Sequence, residues 1–224
     1  MPSILQVEGG HPLHGEITVR GAKNFVPKAM VASLLADTPS KLYNVPLIRD
    51  TDVVSNLLSL HGVEIDFDQD RGTLRMDTSN VKIASRSDID TLAGASRIPI
   101  LFCGPLLHQL GEAFIPELGG CAIGGRSIDF HLDTLRNFGA IIDKQPDGVH
   151  IKRPSTGLHG AIIELPFPSV GATEQTLLTA VRNEGITTLK GAAIEPEILD
   201  LINVLQKMGA IISVDTDCTI RIEG

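Results

Sequence analysis

Three stretches of this chain follow one plan: an amphipathic helix, a glycine near its end, then two short strands. They read LLSLHGVEIDFDQDRGTLRMD, LRNFGAIIDKQPDGVHIKR and LQKMGAIISVDTDCTIRIEG. The glycines are Gly62, Gly139 and Gly209, each four residues after a leucine (Leu58, Leu135, Leu205). Each suits the left-handed position that ends a helix. The strands that follow alternate apolar and polar residues, as in Val63-Glu64-Ile65-Asp66-Phe67, and turns such as Gln145-Pro146-Asp147-Gly148 close the hairpins.

A second shared pattern precedes each of these. A strand passes through small or polar residues into another helix: EITVRGAKN before a helix over 25–36, and AIIELPFPSVGAT before one over 174–181. The middle version, over 96–107, is interrupted by Gly104-Pro105. The order strand, helix, strand, helix, strand, strand therefore occurs three times, over residues 13–77, 81–153 and 158–224. Units of this length need neighbours to cover their apolar faces. The pattern predicts an α/β fold with a pseudo-threefold arrangement of βαβαββ units. The apolar, small-residued stretch 27–35 predicts a helix buried on most sides. Ile4-Leu5-Gln6-Val7 reads as a short strand outside the three units, paired with something beyond them.

The balance of charge narrows the ligand class. With 224 residues and 42% hydrophobic content the chain can bury a substantial core. A formal net charge of -8 argues against nucleic acid, so an anionic ligand would have to be held by a few local cations. Three cysteines leave at least one free thiol and argue against a disulfide framework. No signal-peptide pattern and no membrane-length apolar run is present, which reads as a soluble, cytoplasmic chain without membrane partners.

Chemistry is concentrated in Pro116-Glu117-Leu118-Gly119-Gly120-Cys121-Ala122-Ile123-Gly124-Gly125-Arg126. Glycine lets a backbone approach a ligand closely, and a thiol near a fixed cation is placed for reaction. The same segment also fits a glycine-rich turn holding a buried cysteine. Two helix starts suit phosphate or carboxylate, because unpaired N–H groups and the helix dipole attract anions. One is Ser169-Val170-Gly171-Ala172-Thr173, which equally fits ordinary capping by Ser169 or Thr173. The other is Gly21-Ala22-Lys23-Asn24, with Asn24 as a helix cap and Lys23 as a cation that also fits a solvated surface charge. Arg97 holds the matching place in the middle unit. The repeat predicts that Lys23, Arg97 and Arg126 converge on one cleft. No GxxxxGK[ST] or HExxH pattern occurs, so neither a P-loop nor a zinc site is expected, and no cofactor is called for. Cys103 and Cys218 read as core residues.

The motifs RGAKN, PELGGCAIGGRSIDFH, PSVGAT and EPEILD, in that order, resemble the UDP-N-acetylglucosamine 1-carboxyvinyltransferase family of enolpyruvyl transferases. The likeness runs over nearly the whole chain and over about the first half of the family's usual length. It implies an inside-out α/β barrel of two lobes. Residues 21–224 would form one complete lobe of three βαβαββ repeats, and residues 1–20 a strand segment belonging to the second lobe. It implies transfer of the enolpyruvyl group of phosphoenolpyruvate to the 3-hydroxyl of UDP-N-acetylglucosamine with release of phosphate. That reaction opens peptidoglycan precursor synthesis, hence cell-wall biogenesis, cell shape and division.

The resemblance also implies residue roles. Cys121 is the proton donor and the residue alkylated by fosfomycin. Lys23, Asn24 and Cys121 meet phosphoenolpyruvate. Asn24, Arg97, Arg126, Ser127, Ile128, Asp129, Phe130, His131, Ser169, Val170 and Gly171 meet UDP-N-acetylglucosamine. Phe167 stands where some relatives carry a lysine, and Ser127 where a proline is common. The alternatives are 3-phosphoshikimate 1-carboxyvinyltransferase, against which Cys121 and RGAKN speak, and a non-catalytic UDP-sugar-binding lobe.

Overall fold

Leu58, Leu135 and Leu205 each lie in the last turn of a helix: α2 (Arg49–Leu60), α5 (Asp129–Asn137) and α7 (Pro196–Lys207). All three are buried. Gly62, Gly139 and Gly209 then take φ of 84°, 91° and 106°. The next residue donates its N–H back to the leucine carbonyl at 3.0 Å in every case (Val63, Ala140, Ala210). The glycine N–H meets the carbonyl of Ser59, Arg136 or Gln206. This is one helix-ending motif built three times, and it satisfies carbonyls that would otherwise be orphaned. The computed structural model in which this is seen describes residues 4–93, 97–116 and 128–224.

Each helix end feeds a hairpin: β2 (Glu64–Asp68) with β3 (Thr73–Asp77), β5 (Ile141–Gln145) with β6 (Gly148–Lys152), and β9 (Ile211–Val214) with β10 (Ile220–Glu223). A third strand joins each antiparallel: β1 (Ser40–Leu42), β4 (Glu112–Ile115) and β8 (Ile186–Lys190). The last sheet gains a fourth strand, β7 (Ile162–Glu164), parallel to β8 with Ile163 opposite Leu189. The sheet orders are β1-β3-β2, β4-β6-β5 and β7-β8-β10-β9.

Three inner helical segments fill the middle. They are α1 (Val26–Ala32), which tightens into a 3-10 turn over Ser33–Leu35; a 3-10 turn over Ile98–Phe102 that runs into α4 (Cys103–Gln109); and α6 (Val170–Ala180). Their close approach needs small residues. A Cβ on Gly104 would lie 2.2 Å from Thr179 Oγ1. The outer helices bridge units, with α7 against α1 and α6, α5 against α6, and α2 against the Ile98–Phe102 turn. A further helix, α3 (Arg86–Ala93), stands outside the repeat. The burial expected for 27–35 holds, apart from half-buried Lys28.

Several expectations need correction. Ile4-Leu5-Gln6-Val7 forms no strand, and Ile4, Leu5 and Val7 are exposed. Glu16-Ile17-Thr18-Val19, the lead-in of the first unit, forms none either, with Ile17 and Val19 exposed. An extended segment becomes a strand only when a neighbour completes its ladder, and among the described residues none pairs with these. The middle lead-in is held by Lys82 N–H on the His61 carbonyl at 2.8 Å, short of a ladder. Among the described residues only the third unit shows the full βαβαββ order. Helix α6 begins at Val170 rather than 174 because Ser169 caps it. Cys103 is buried as expected, but Cys218 sits half-buried in the β9–β10 turn at φ 62°. No helix among the described residues is long and apolar enough to cross a membrane.

The three glycine ends do not have the same neighbours. A Cβ on Gly62 would lie 2.4 Å from the Asn80 carbonyl, whereas one on Gly209 meets nothing within 4 Å. Gly209→Ala is therefore expected to cost only backbone strain, about 1 kcal/mol. Gly62→Ala adds displacement of the returning chain and should cost roughly 3 kcal/mol. Urea-unfolding midpoints measure the difference, and equal losses would count against the packing at Asn80.

Candidate active site

The N-terminal ends of the three inner helical segments form three corners. At the first, Gly21 N–H bonds the Asn44 carbonyl at 2.8 Å, and residues 22–24 turn into α1. Lys23, 71% exposed at its side chain, pairs with Asp50 of α2 at 3.5 Å. Asn24 does not cap the helix as expected. The cap position falls to Phe25 without a side-chain hydrogen bond, and Asn24 Nδ2 instead donates to Glu197 Oε1 of α7 at 3.1 Å. The Asn24 carbonyl accepts from Lys28 Nζ.

At the second corner Arg97 directly precedes the Ile98–Phe102 turn and is half-buried. At the third, Ser169 caps α6 as the sequence predicts, its Oγ accepting from Ala172 N–H at 3.4 Å. Thr173, the other capping candidate, is buried and accepts from Ala193 N–H at 3.1 Å. Gly171 faces α5, where a Cβ would sit 2.8 Å from His131 Nε2. Here glycine is needed for room, since the imidazole occupies the place of a side chain. Val170 is half-buried beside it.

The first turn of α5 completes this corner. Ile128 takes the cap position and packs on the core. Asp129 is exposed and pairs with Lys144 at 3.5 Å. Phe130 meets Phe167 edge to face, centroids 5.1 Å apart, so the position where some relatives carry a lysine holds half of an aromatic pair. His131 is half-buried overall, and desolvation of its ring pushes its pKa down to about 4; the Gln175 side chain opposes this, and the Arg97 charge adds a smaller push downward. Neither His131 Nδ1 nor Gln175 Oε1 has a hydrogen-bond partner among the described residues.

Lys23 and Asn24 thus share one corner, and Arg97, Phe130, His131, Ser169, Val170 and Gly171 gather around the start of α6. Cys121, Arg126 and Ser127 lie outside the described residues, whose nearest flanks are Pro116 after β4 and Ile128 before α5. Four residues escaped the sequence reading: Lys28, Glu174, Gln175 and Glu197. The available signal was a charge inside an apolar helix, Lys28 in VPKAMVA and Glu174 in VGATEQTLLTA. A lysine or glutamate is rarely buried unless paired.

The arrangement can meet an anion and polar groups beside it. Backbone N–H groups at the α6 start and the Arg97 charge answer negative groups, while Asn24 and the unpartnered His131 and Gln175 atoms offer directional polar contacts. His131 also makes stability depend on pH. Its folded pKa lies below the unfolded value of 6.5, so the unfolded chain takes up the proton first and stability falls as pH drops from 6.5 toward 4. Between pH 7 and 5 the wild type should lose about 2 kcal/mol more than His131→Asn. Urea unfolding at both values checks this, and parallel losses would place the imidazole in solvent.

Comparison with known proteins bears on the family and the fold. The family model for EPSP synthase (3-phosphoshikimate 1-carboxyvinyltransferase) matches residues 7–224. The UDP-N-acetylglucosamine 1-carboxyvinyltransferase of Protochlamydia amoebophila is 43% identical over 99% of this chain and 48% of its own length. The protein of that name from Acidiphilium cryptum is 44% identical over 93% and 49%. The chain thus spans about half the length of the curated relatives it matches. Among solved structures, the enolpyruvyl transferase NikO from Streptomyces tendae superposes with a TM-score of 0.83 at 24% identity, covering 96% of this chain and 50% of that one. EPSP synthase from Acinetobacter baumannii gives 0.70 at 18% identity, covering 94% and 47%. These two matches carry the fold alone, while the family model carries membership: this chain belongs to the EPSP synthase family of carboxyvinyltransferases.

Proposed function

We propose that this chain is the nucleotide-sugar-holding half of a UDP-N-acetylglucosamine 1-carboxyvinyltransferase. The observation that carries the reading is the meeting of Arg97, His131 and the Ser169–Gly171 turn, set beside relatives of that name at 43% and 44% identity. In this reading the α6 start and Arg97 hold the diphosphate. Ile128, Asp129, Phe130 and His131, with Arg126 and Ser127, line the uridine side, and Asn24 meets the sugar. Lys23 grips phosphoenolpyruvate. Cys121 protonates its methylene carbon as the sugar 3-hydroxyl adds to the neighbouring carbon. A base takes the hydroxyl proton in this addition; loss of a proton from the new methyl group and departure of phosphate then give the enolpyruvyl ether. A second lobe supplies the base and closes the cleft, and residues 1–20 belong to it. Activity in the cytoplasm, in peptidoglycan precursor synthesis and as a fosfomycin target belongs to the same reading.

Titration calorimetry separates this from its alternative. UDP-N-acetylglucosamine should bind the chain and shikimate 3-phosphate should not; the reverse preference would move the assignment to 3-phosphoshikimate. The chain alone should release negligible phosphate from the two substrates. With a second lobe supplied in trans, Cys121→Ala should abolish release. Cys121→Asp should keep part of it and resist epoxides, because a carboxylic acid also donates a proton. Equal inactivity of both would point to an obligatory covalent role.

A further inference from the structure

One charged pair in the interior has no place in the reading above. Lys28 Nζ lies 3.3 Å from Glu174 Oε1, with side chains only 15% and 5% exposed. Lys28 stands in the first turn of α1 and Glu174 in the first half of α6, so the pair ties together two of the three site corners. The same ammonium donates to the Asn24 carbonyl, and the Asn24 side chain is held from its other side by Glu197. A continuous polar chain thus runs Glu174, Lys28, Asn24, Glu197, across α6, α1 and α7.

We propose that Lys28 and Glu174 are positioning residues for the nucleotide-sugar site: their ion pair fixes the Asn24 turn at the distance from the Ser169–Gly171 turn that one ligand can span. This rests on the site assignment made above. Taking two charges out of water is costly, and helix packing alone can be achieved with apolar groups. A lysine that also grips the backbone of Asn24 does what an apolar contact does not, because it fixes the turn in direction as well as in depth.

The groups around Glu174 make the clamp responsive to pH. Burial raises its carboxyl to about 7, against the pull of Lys28, and Glu195 and Glu197 at the start of α7 push the same way as burial. His131 of α5 and Arg97 face the other side of α6, at Gly171 and Gln175. Above pH 7 Glu174 is ionised and the clamp is closed. Below it the carboxyl holds a proton and Lys28 loses its partner.

The test measures UDP-N-acetylglucosamine affinity by calorimetry at pH 6 and 8.5, together with the Asn24 side-chain amide signals in NMR spectra of the ligand-free chain. The wild type should bind on the order of fivefold tighter at pH 8.5 than at pH 6. Glu174→Gln should bind weakly and equally at both. The Asn24 amide should shift with a midpoint near pH 7 in the wild type and stay still in Glu174→Gln. Lys28→Met should behave as Glu174→Gln does. A charge exchange, Lys28→Glu with Glu174→Lys, should recover thermal stability without recovering affinity, because glutamate cannot donate to the Asn24 carbonyl. Binding by Glu174→Gln with wild-type strength or wild-type pH slope would overturn the proposal and leave the site assignment intact. No binding by the wild type at pH 8.5, with the Asn24 signal still titrating, would sink the site assignment while the clamp stands. An Asn24 amide indifferent to Glu174 would remove the clamp itself.

Discussion

Helix α6 carries Thr173, Glu174, Gln175, Thr176 and Thr179 into the interior, and every polar atom there calls for a partner that water cannot provide. The threonines are answered, two of them within the helix itself. Thr176 and Thr179 donate to the carbonyls four residues back, at 2.8 and 2.7 Å, and Thr173 accepts from Ala193 N–H. Glu174 has no such recourse. A hydroxyl left alone costs about 1–3 kcal/mol, whereas a buried charge stripped of its partner costs roughly 3–5 kcal/mol. The carboxylate therefore dictates where Lys28 lies, and with it the first turn of α1.

The same burial places the candidate site. The three inner segments can pack this tightly only where small residues let them, at Gly104 against Thr179 and at Gly171 against His131. Their N-terminal ends then fall at neighbouring corners, each with a cation or an unsatisfied donor or acceptor. A chain with a net charge of -8 repels anions at long range. Oriented N–H groups and a few cations act at contact distance, where that repulsion matters least. Hence α5, which brings His131 and Phe130, has to sit on the α6 start for the corner to exist.

Much of this was legible in the residues because it is local. Gly62, Gly139 and Gly209 mark helix ends that form in every unit, since a left-handed residue followed by two back-bonds is a property of six or seven consecutive residues. Ser169 reads correctly as a cap for the same reason. Asn24 does not: its sequence neighbours suit a cap, yet Glu197, far along the chain, outbids the helix end for its side chain. Ile4 to Val7 is rich in strand-forming residues and Glu16 to Val19 alternates as a strand does, but a ladder needs a second edge that no local pattern supplies. Cys218 looked like a strand interior and proved to be a turn, at the place in the third unit that Gly72, with φ 61°, holds in the first.

The amino-acid order by itself determined the threefold plan, the buried stretch of α1, the capped start of α6 and the family to which the motifs point, because periodicity and turn chemistry act over a few residues. Only the folded arrangement decided that Lys28 would meet Glu174, that Asn24 would reach α7, and that His131 would fill the space Gly171 leaves. Those contacts join residues up to 173 positions apart, so no local pattern fixes them, and for the buried Lys28–Glu174 pair the desolvation that demands a partner exists only once the helices have closed around it.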